Sequence, residues 1–332
     1  MNIYDIAREA GVSIATVSRV VNGKAVVGGK TREKVEAVLK KYSYTPDPTA
    51  RSLASKSTRM IALLADDLRG AYCGTVCHAV ERTLTKAGYT ALLTSTGGTV
   101  KGITSALAAA KALRADAAVI CGLPRQASGD IITAAKQLPL VLIGSSIDVP
   151  GICSVVCDVS YGMMLAVSHL IERGRRDILF IESGDGNTYA AEKLREGFDG
   201  GLAMYDLSPD GRRFKTESGV DGGYACTDML LHEGYKFDAV VCDNDATAAG
   251  VIHCLREREF DIPGDISVVG FYNTIAAQCA CPALTSVDCK SDGAGVTAAS
   301  LLCAVLAGEI TESNAAEKRS ILLPRLVVRQ SS

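Results

Sequence analysis

Hydrophobic positions recur along this 332-residue chain with two different periods. In the first 45 residues the spacing is helical. Ile3, Ile6, Ala7 and Ala10 fall on one face, and Gly11 ends that run. Ser13 is placed to cap a second segment, in which Val17, Val20 and Val21 form one face and Ala15, Ser18, Arg19 and Asn22 another. A third segment, KTREKVEAVLKKY, puts Val35, Val38, Leu39 and Tyr42 on one stripe. From Arg59 onward the pattern changes. Short apolar runs (MIALLADD, TALLTST, AAVICG, LVLIGS, CSVVCD, DILFIES, AVVCDND and ISVVGF) alternate with helical patterns. That alternation predicts α/β architecture, with parallel sheets covered by helices and ligands beyond the carboxyl ends of the strands.

The stretch NGKAVVGGKT, Asn22 to Thr31, ends in Gly-Lys-Thr like a phosphate-binding loop. Its context argues otherwise. A P-loop joins a strand to a helix and places a glycine four residues before Gly-Lys-Thr. Here both neighbours are helical, and Gly23 precedes Gly29 with five residues between them. Lys30 and Thr31 therefore open the third helix, where Thr31 can approach an anion. SGDGNTY, after DILFIES, has a Gly-x-Gly without the third small residue of a dinucleotide fingerprint.

Charge adds one feature. Residues 1–60 hold eleven Lys/Arg against five Asp/Glu, a balance of +6, while the remainder holds 24 against 32, or −8. A basic head on an acidic body suits a polyanionic partner. No apolar run reaches membrane-spanning length, and MNIYDIAREAG lacks the apolar stretch of a secretion signal, so a cytoplasmic location with no membrane partner is expected. The twelve cysteines all lie at Cys73 or later, and neither Cys153…Cys157 nor Cys279-Ala-Cys281 has zinc-site spacing. Reduced core thiols are the expectation, with no metal and no cofactor.

Two short helices joined by a tight turn, the second one polar, describe a helix-turn-helix. The segment also resembles the head of the lactose-repressor (LacI/GalR) family of bacterial transcription regulators. D-I-A-x-x-A-G-V-S-x-x-T-V-S-R-V-V-N, T-R-E-K-V and Y-x-P-x-x-x-A-R-S-L carry the resemblance. It implies that the second helix enters the major groove with Ile14, Ala15 and Arg19 at base-reading positions. Arg19 is suited to pair with guanine, and Ile14 and Ala15 to touch a thymine methyl. A partly exposed core residue is the plainer reading of Ile14. Ile3, Tyr4, Ser13, Thr16, Ser18, Asn22 and Thr31 match positions at or near the DNA backbone, which set register. Gly28 stands where the family usually has a capping serine. Pro48 to Ser55 resembles the family's hinge helix, with Ala50 and Leu53 toward the minor groove and Leu53 as a wedge.

The body resembles the family's periplasmic-binding-protein-like effector domain through LLADDLRGAY…AVERTLTKAGY, HLIERGRRDILFI, VCDNDATAAGVIHCLRER and DIPGDISVVGF. The implied organisation is a head and hinge over 1–57 (hinge about 47–55) and a body over 58–332. Lobe one would span about 60–158 and 287–317, and lobe two about 159–284 and 318–332. Three polar pocket positions of sugar- and purine-binding relatives are altered here. Gly144 replaces an acid, Leu194 an arginine (with Arg195 one place on), and Tyr272 an aspartate. Tyr72 and Asn244 match pocket positions, and Tyr272 is expected to line the cleft. A larger, less polar or otherwise different effector is the expectation, or none.

The chain ends in VVRQSS with no leucine heptad tail, so a homodimer on a near-palindromic operator in double-stranded DNA is expected. The function implied is a DNA-binding transcription regulator acting as a repressor under a small-molecule effector. A solute-binding protein with the same body is the alternative, opposed by the basic head. His78, His169, His232 and His253 are scattered and sit beside no catalytic motif, so an enzyme is not expected.

Overall fold

A computed structural model describes residues 2–21, 27–42, 57–149, 151–184, 186–311 and 318–332. The chain divides into two compact units, Met1–Arg59 and Met60–Ser332. In the first, α1 (Ile3–Ala10) starts at Asn2 with a reciprocal cap. The Asn2 side chain accepts the amides of Tyr4 and Asp5 at 3.0 and 3.1 Å, and the Asp5 carboxylate accepts the Asn2 amide at 3.1 Å. Gly11, at φ +64°, ends α1 in the left-handed region. Ser13 then caps α2 (Ile14–Val21), its Oγ accepting the Thr16 amide at 3.2 Å. Helix α3 (Gly29–Lys41) starts at Gly28 without a side-chain cap. The apolar faces meet in a small core of Ile6, Ala7, Ala10, Val17, Val20 and Val35, flanked by Val38 and Leu39. Asn22, Ala50 and Leu53 lie outside the described residues.

The second unit contains two six-stranded sheets among the described residues. Sheet one is built from β1 (Met60–Ala65), β2 (Thr90–Ser95), β3 (Ala117–Cys121), β4 (Leu140–Ile143), β5 (Ile152–Cys157) and, far along the chain, β11 (Arg319–Leu322), in the order β11-β5-β4-β3-β1-β2, all parallel. Sheet two repeats the plan with β6 (Ile178–Ser183), β7 (Arg213–Thr216), β8 (Ala239–Cys242), β9 (Ser267–Phe271), β10 (Thr285–Asp288) and an antiparallel β12 (Arg325–Val327), in the order β12-β10-β9-β8-β6-β7.

Strands β3, β4, β8 and β9 are buried along their whole length, which is why they read as unbroken apolar runs. Helices α4 (Ala71–Lys86) and α12 (Ser291–Leu306) cover one face of sheet one, and α5 (Val100–Ala112) and α6 (Ser128–Ala135) the other. Helices α7 (Val159–Glu172) and α8 (Tyr189–Ala203) cover one face of sheet two. Its other face is covered by α9 (Val220–His232) and α10 (Asp245–Glu257), with the short α11 (Ile275–Cys279) beside them.

The chain passes between the lobes three times. The first passage follows Cys157. The other two differ from expectation. Strand β10 belongs to sheet two, so residues 287–288 lie in lobe two. Strand β11 belongs to sheet one, so the last passage falls after Leu322 and not before residue 318. Both strands are four residues long, and β11 alternates exposed and half-buried positions at a sheet edge, too weak a pattern to place from sequence. In each lobe the strand order reverses between the first and third strands (β1/β3 and β6/β8). In open sheets of this kind such a reversal is where a ligand crevice opens, beyond the carboxyl ends of the strands.

Candidate functional site

In the head, the apolar stripe of α2 is spent on the core, since Val17 and Val20 are buried. The opposite face stays available. Ile14 is 40% exposed, Ala15 and Arg19 are exposed, and Ser18 is half-buried. They share one surface because Ile14 and Ser18, Ala15 and Ser18, and Ala15 and Arg19 stand three or four residues apart on a helix. Thr16 is half-buried, with its hydroxyl 2.9 Å from that of Ser13. Tyr4 is 62% exposed on α1, Ile3 packs against the head core, and Thr31 lies in the first turn of α3. A cationic arginine beside two apolar side chains, Ile14 and Ala15, on an exposed helix face is chemically suited to the base edges of a major groove.

In the body, the crevice is closed by contacts from both lobes. Tyr72, in the first turn of α4, stacks on Tyr272, just past β9, with ring centroids 4.3 Å apart and planes inclined by 34°. Burial pushes both phenols well above their usual range. Further along the crevice, Pro124 and Thr188 form a bridge, Arg125 N donates to Asn187 O at 3.3 Å, and the Arg125 guanidinium meets the Glu192 carboxylate at 2.7 Å.

The segment carrying Tyr272 is held under backbone strain. Tyr272 and Asn273 have φ of +85° and +50°, unusual for residues other than glycine. Asp245 restrains the loop. Its buried carboxylate accepts the Thr274 amide at 2.5 Å, the Thr274 hydroxyl at 2.8 Å and the Ser286 hydroxyl at 2.5 Å. Residue 270 must be glycine for Asp245 to come this close, because a Cβ there would lie 2.4 Å from its Oδ1. Arg329 adds a bond from Nη2 to Asn273 Oδ1 at 2.6 Å.

Two further acids flank the crevice. Burial raises Asp66, which follows β1, to about 7, and Asp243, which follows β8, to about 6. Both lie within electrostatic reach of the Tyr272 hydroxyl. A ligand there would meet aromatic rings, thiols and two acids whose ionisation burial opposes, surroundings that disfavour an anion.

The remaining expected pocket positions are otherwise engaged. Asn244 caps α10 by accepting the Thr247 amide at 2.9 Å, and it donates to Ser183 Oγ and Asp243 Oδ1. Leu194 is 3% exposed within the lobe-two core, packed with Met163 and Phe198, so it offers an effector no surface; its place on the inward stripe of α8 accounts for this. Its neighbour Arg195 is committed to the buried Glu182 at 2.7 Å and to Gly186 O at 3.0 Å. Gly144 closes β4 and contributes no side chain. Asp66, Asp243, Asp245 and Glu182 were not singled out from sequence. The available signal was acids at or just beyond the carboxyl end of an apolar run, as in LLADD, FIES and VCDND. Among the described residues, no three or more His, Cys, Asp or Glu are grouped to hold a metal, and no helix is long and apolar enough to cross a membrane.

A three-helix head with an exposed recognition face, followed by a two-lobed binding-protein-like body, defines a DNA-binding regulator of transcription. Comparison with known proteins agrees over the whole chain. Residues 2–47 match the model of bacterial regulatory proteins of the lacI family, and residues 167–332 match the periplasmic binding protein-like domain. An HTH-type transcriptional regulator of Lachnoclostridium phytofermentans is 30% identical over 100% of this chain and 99% of its own. The HTH-type transcriptional regulator DegA of Bacillus subtilis is 31% identical over 99% of this chain and 97% of its own. Among solved structures, the lac repressor dimer bound to operator and the anti-inducer ONPF superposes with a TM-score of 0.90 at 26% identity, covering 100% of this chain and 98% of that one. The chain belongs to the lacI family of bacterial regulatory proteins.

Proposed function

We propose that the protein represses transcription from the cytoplasm as a homodimer on a near-palindromic operator, and that a small molecule held between the lobes adjusts its DNA affinity. The α2 surface of Ile14, Ala15, Ser18 and Arg19 carries the DNA half of this reading, with Arg19 as the principal base-reading side chain. The lac repressor structure, a dimer on operator with a small molecule, supports the assembly. The Tyr72–Tyr272 contact carries the effector half, because a ligand that separates or inserts beside these rings changes how the lobes close. Such a ligand acts only by binding one lobe arrangement more tightly than the other. With Gly144, Leu194 and Tyr272 at the three altered positions, the effector is less polar than a simple sugar or purine, or of another class.

Binding to a labelled operator duplex tests the DNA reading. Affinity should fall steeply as salt rises, because lysine and arginine release counterions from phosphates. Deletion of residues 1–57 should abolish it while leaving ligand binding intact. A thermal-shift panel tests the effector reading. A gain of several degrees with a simple monosaccharide or purine contradicts it.

A further inference from the structure

Three cysteines meet at the crevice end of lobe one. Cys73 lies in the first turn of α4, Cys77 one turn later, and Cys121 at the end of β3. The Cys73 sulfur is 3.9 Å from that of Cys77 and 4.0 Å from that of Cys121, and all three thiols are free and buried, so a peroxide reaches them only when the first turn of α4 opens. Cys73 also contacts the carboxyl of Asp66, and Asp66 packs so closely on residue 122 that a Cβ there would lie 2.2 Å from its Oδ2. The preceding residue, Tyr72, supplies the ring that crosses the crevice.

We propose that Cys73 is a modification site for hydroperoxides, forming a disulfide with Cys121 that ties α4 to β3. The chemistry balances within the cluster. The Cys73 thiolate attacks the peroxide, an S–O bond forms as the O–O bond breaks, and hydroxide or alkoxide leaves. The Cys121 thiol then attacks the Cys73 sulfenic acid. An S–S bond forms, and the oxygen departs as water with the Cys121 proton. Overall two thiols are oxidised and one peroxide is reduced.

The electrostatics favour Cys73 as the attacking sulfur. Contacts from Cys121 and Cys77 hold its thiol below the usual range, while the same contacts raise Cys121 and Cys77. Its place in the first turn of a helix acts in the same direction. Cys121 suits the resolving role because it faces Cys73 from a strand, whereas Cys77 points the same way as Cys73 from the next turn of one helix. A disulfide needs sulfurs at about 2.05 Å, so roughly 2 Å of approach is required. The first turn of α4 can supply it, since Gly70 caps that helix with no side-chain bond and residues 68–70 are exposed. That shift moves Tyr72 against Tyr272. The DNA consequence therefore rests on the proposed function, while the modification itself does not.

The test is hydrogen peroxide titration of the full-length protein, alkylation of the remaining thiols without unfolding, and peptide mapping. A linked Cys73–Cys121 peptide is expected, two mass units lighter than the pair and restored by a dithiol reductant, alongside any oxidation of the exposed Cys279 and Cys281. Oxidation confined to Cys279 and Cys281, or a Cys73–Cys77 link, overturns the assignment. Operator affinity of the oxidised protein should change fivefold or more, and Cys121→Ala should abolish that change. A linked protein with unchanged affinity overturns the coupling. A protein that selects no DNA fails the proposed function and leaves the mapping result standing.

Discussion

Tyr72 and Tyr272 meet across the crevice at 4.3 Å, one ring from each lobe. Tyr72 is placed by the first turn of α4, whose other side chains pack on sheet one. Tyr272 is placed by a left-handed backbone that Asp245 secures through Thr274 and Ser286. The contact joins the two lobe cores at the point where the fold provides a ligand site, so its removal should be felt in lobe closure. Beyond its area, an aromatic pair of this kind is worth about 0.5–1.5 kcal/mol. Tyr272→Ala should lower the melting temperature of the body by a few degrees and raise the radius of gyration in solution scattering. Tyr272→Phe should do neither. Equal scattering from Tyr272→Ala and the parent contradicts a role in closure.

The buried Glu182 depends on Arg195. Its side chain is 3% exposed and the ion pair spans 2.7 Å. Arg195→Ala should cost about 3 kcal/mol or more, because it leaves a buried carboxylate unpaired. Glu182→Gln added to Arg195→Ala should recover much of that loss. Chemical denaturation of the two variants measures the difference. A double variant no more stable than Arg195→Ala alone would show that the pair is not the source of the cost.

Asp66 gives the body a pH dependence of defined sign. Its folded-state pKa, raised to about 7 chiefly by burial, lies well above the ordinary carboxylate range. Its stabilising contribution is therefore complete below about pH 4, declines as pH rises, and is lost above about 7. Asp66→Asn removes the ionisation and keeps an oxygen for the Asp67 amide, which Asp66 Oδ1 accepts at 2.7 Å. The variant should melt higher than the parent at pH 8, with the gap narrowing steadily from pH 7 toward pH 4. A gap independent of pH contradicts the assignment.

Much of this architecture is legible in the sequence, for physical reasons. Helical stripes such as Val17–Val20–Val21, and the regular alternation of buried runs such as AVVC with helical segments, are patterns the sequence displays directly. Strands β7, β10, β11 and β12 are about as short as β8 but carry mixed or alternating burial, so no continuous apolar run marks them. The crevice is harder still. Leu194 and Arg195 are adjacent in sequence, yet one enters the core and the other reaches back to Glu182. Asn244 has the chemistry of a ligand contact but is used as a helix cap. Which polar group faces a ligand depends on its tertiary partners, and a linear pattern does not contain them.

Arg19 is the residue whose loss should alter sequence preference as well as affinity. It is exposed on α2, four residues from Ala15. Arg19→Ala should weaken operator binding by roughly 5- to 150-fold, corresponding to about 1–3 kcal/mol at a guanine contact. It should also relax preference at one position in each half-site. A uniform loss across all sequences would instead assign Arg19 to phosphate.

The most direct measurement of the central claim is selection of duplexes from a random pool by the full-length protein at one stated salt concentration. Enrichment of a near-palindrome is expected, bound by two protomers in sedimentation equilibrium and lost in the protein lacking residues 1–57. Recovery of unselected sequence, with only monomer present on DNA at micromolar concentration, would contradict it.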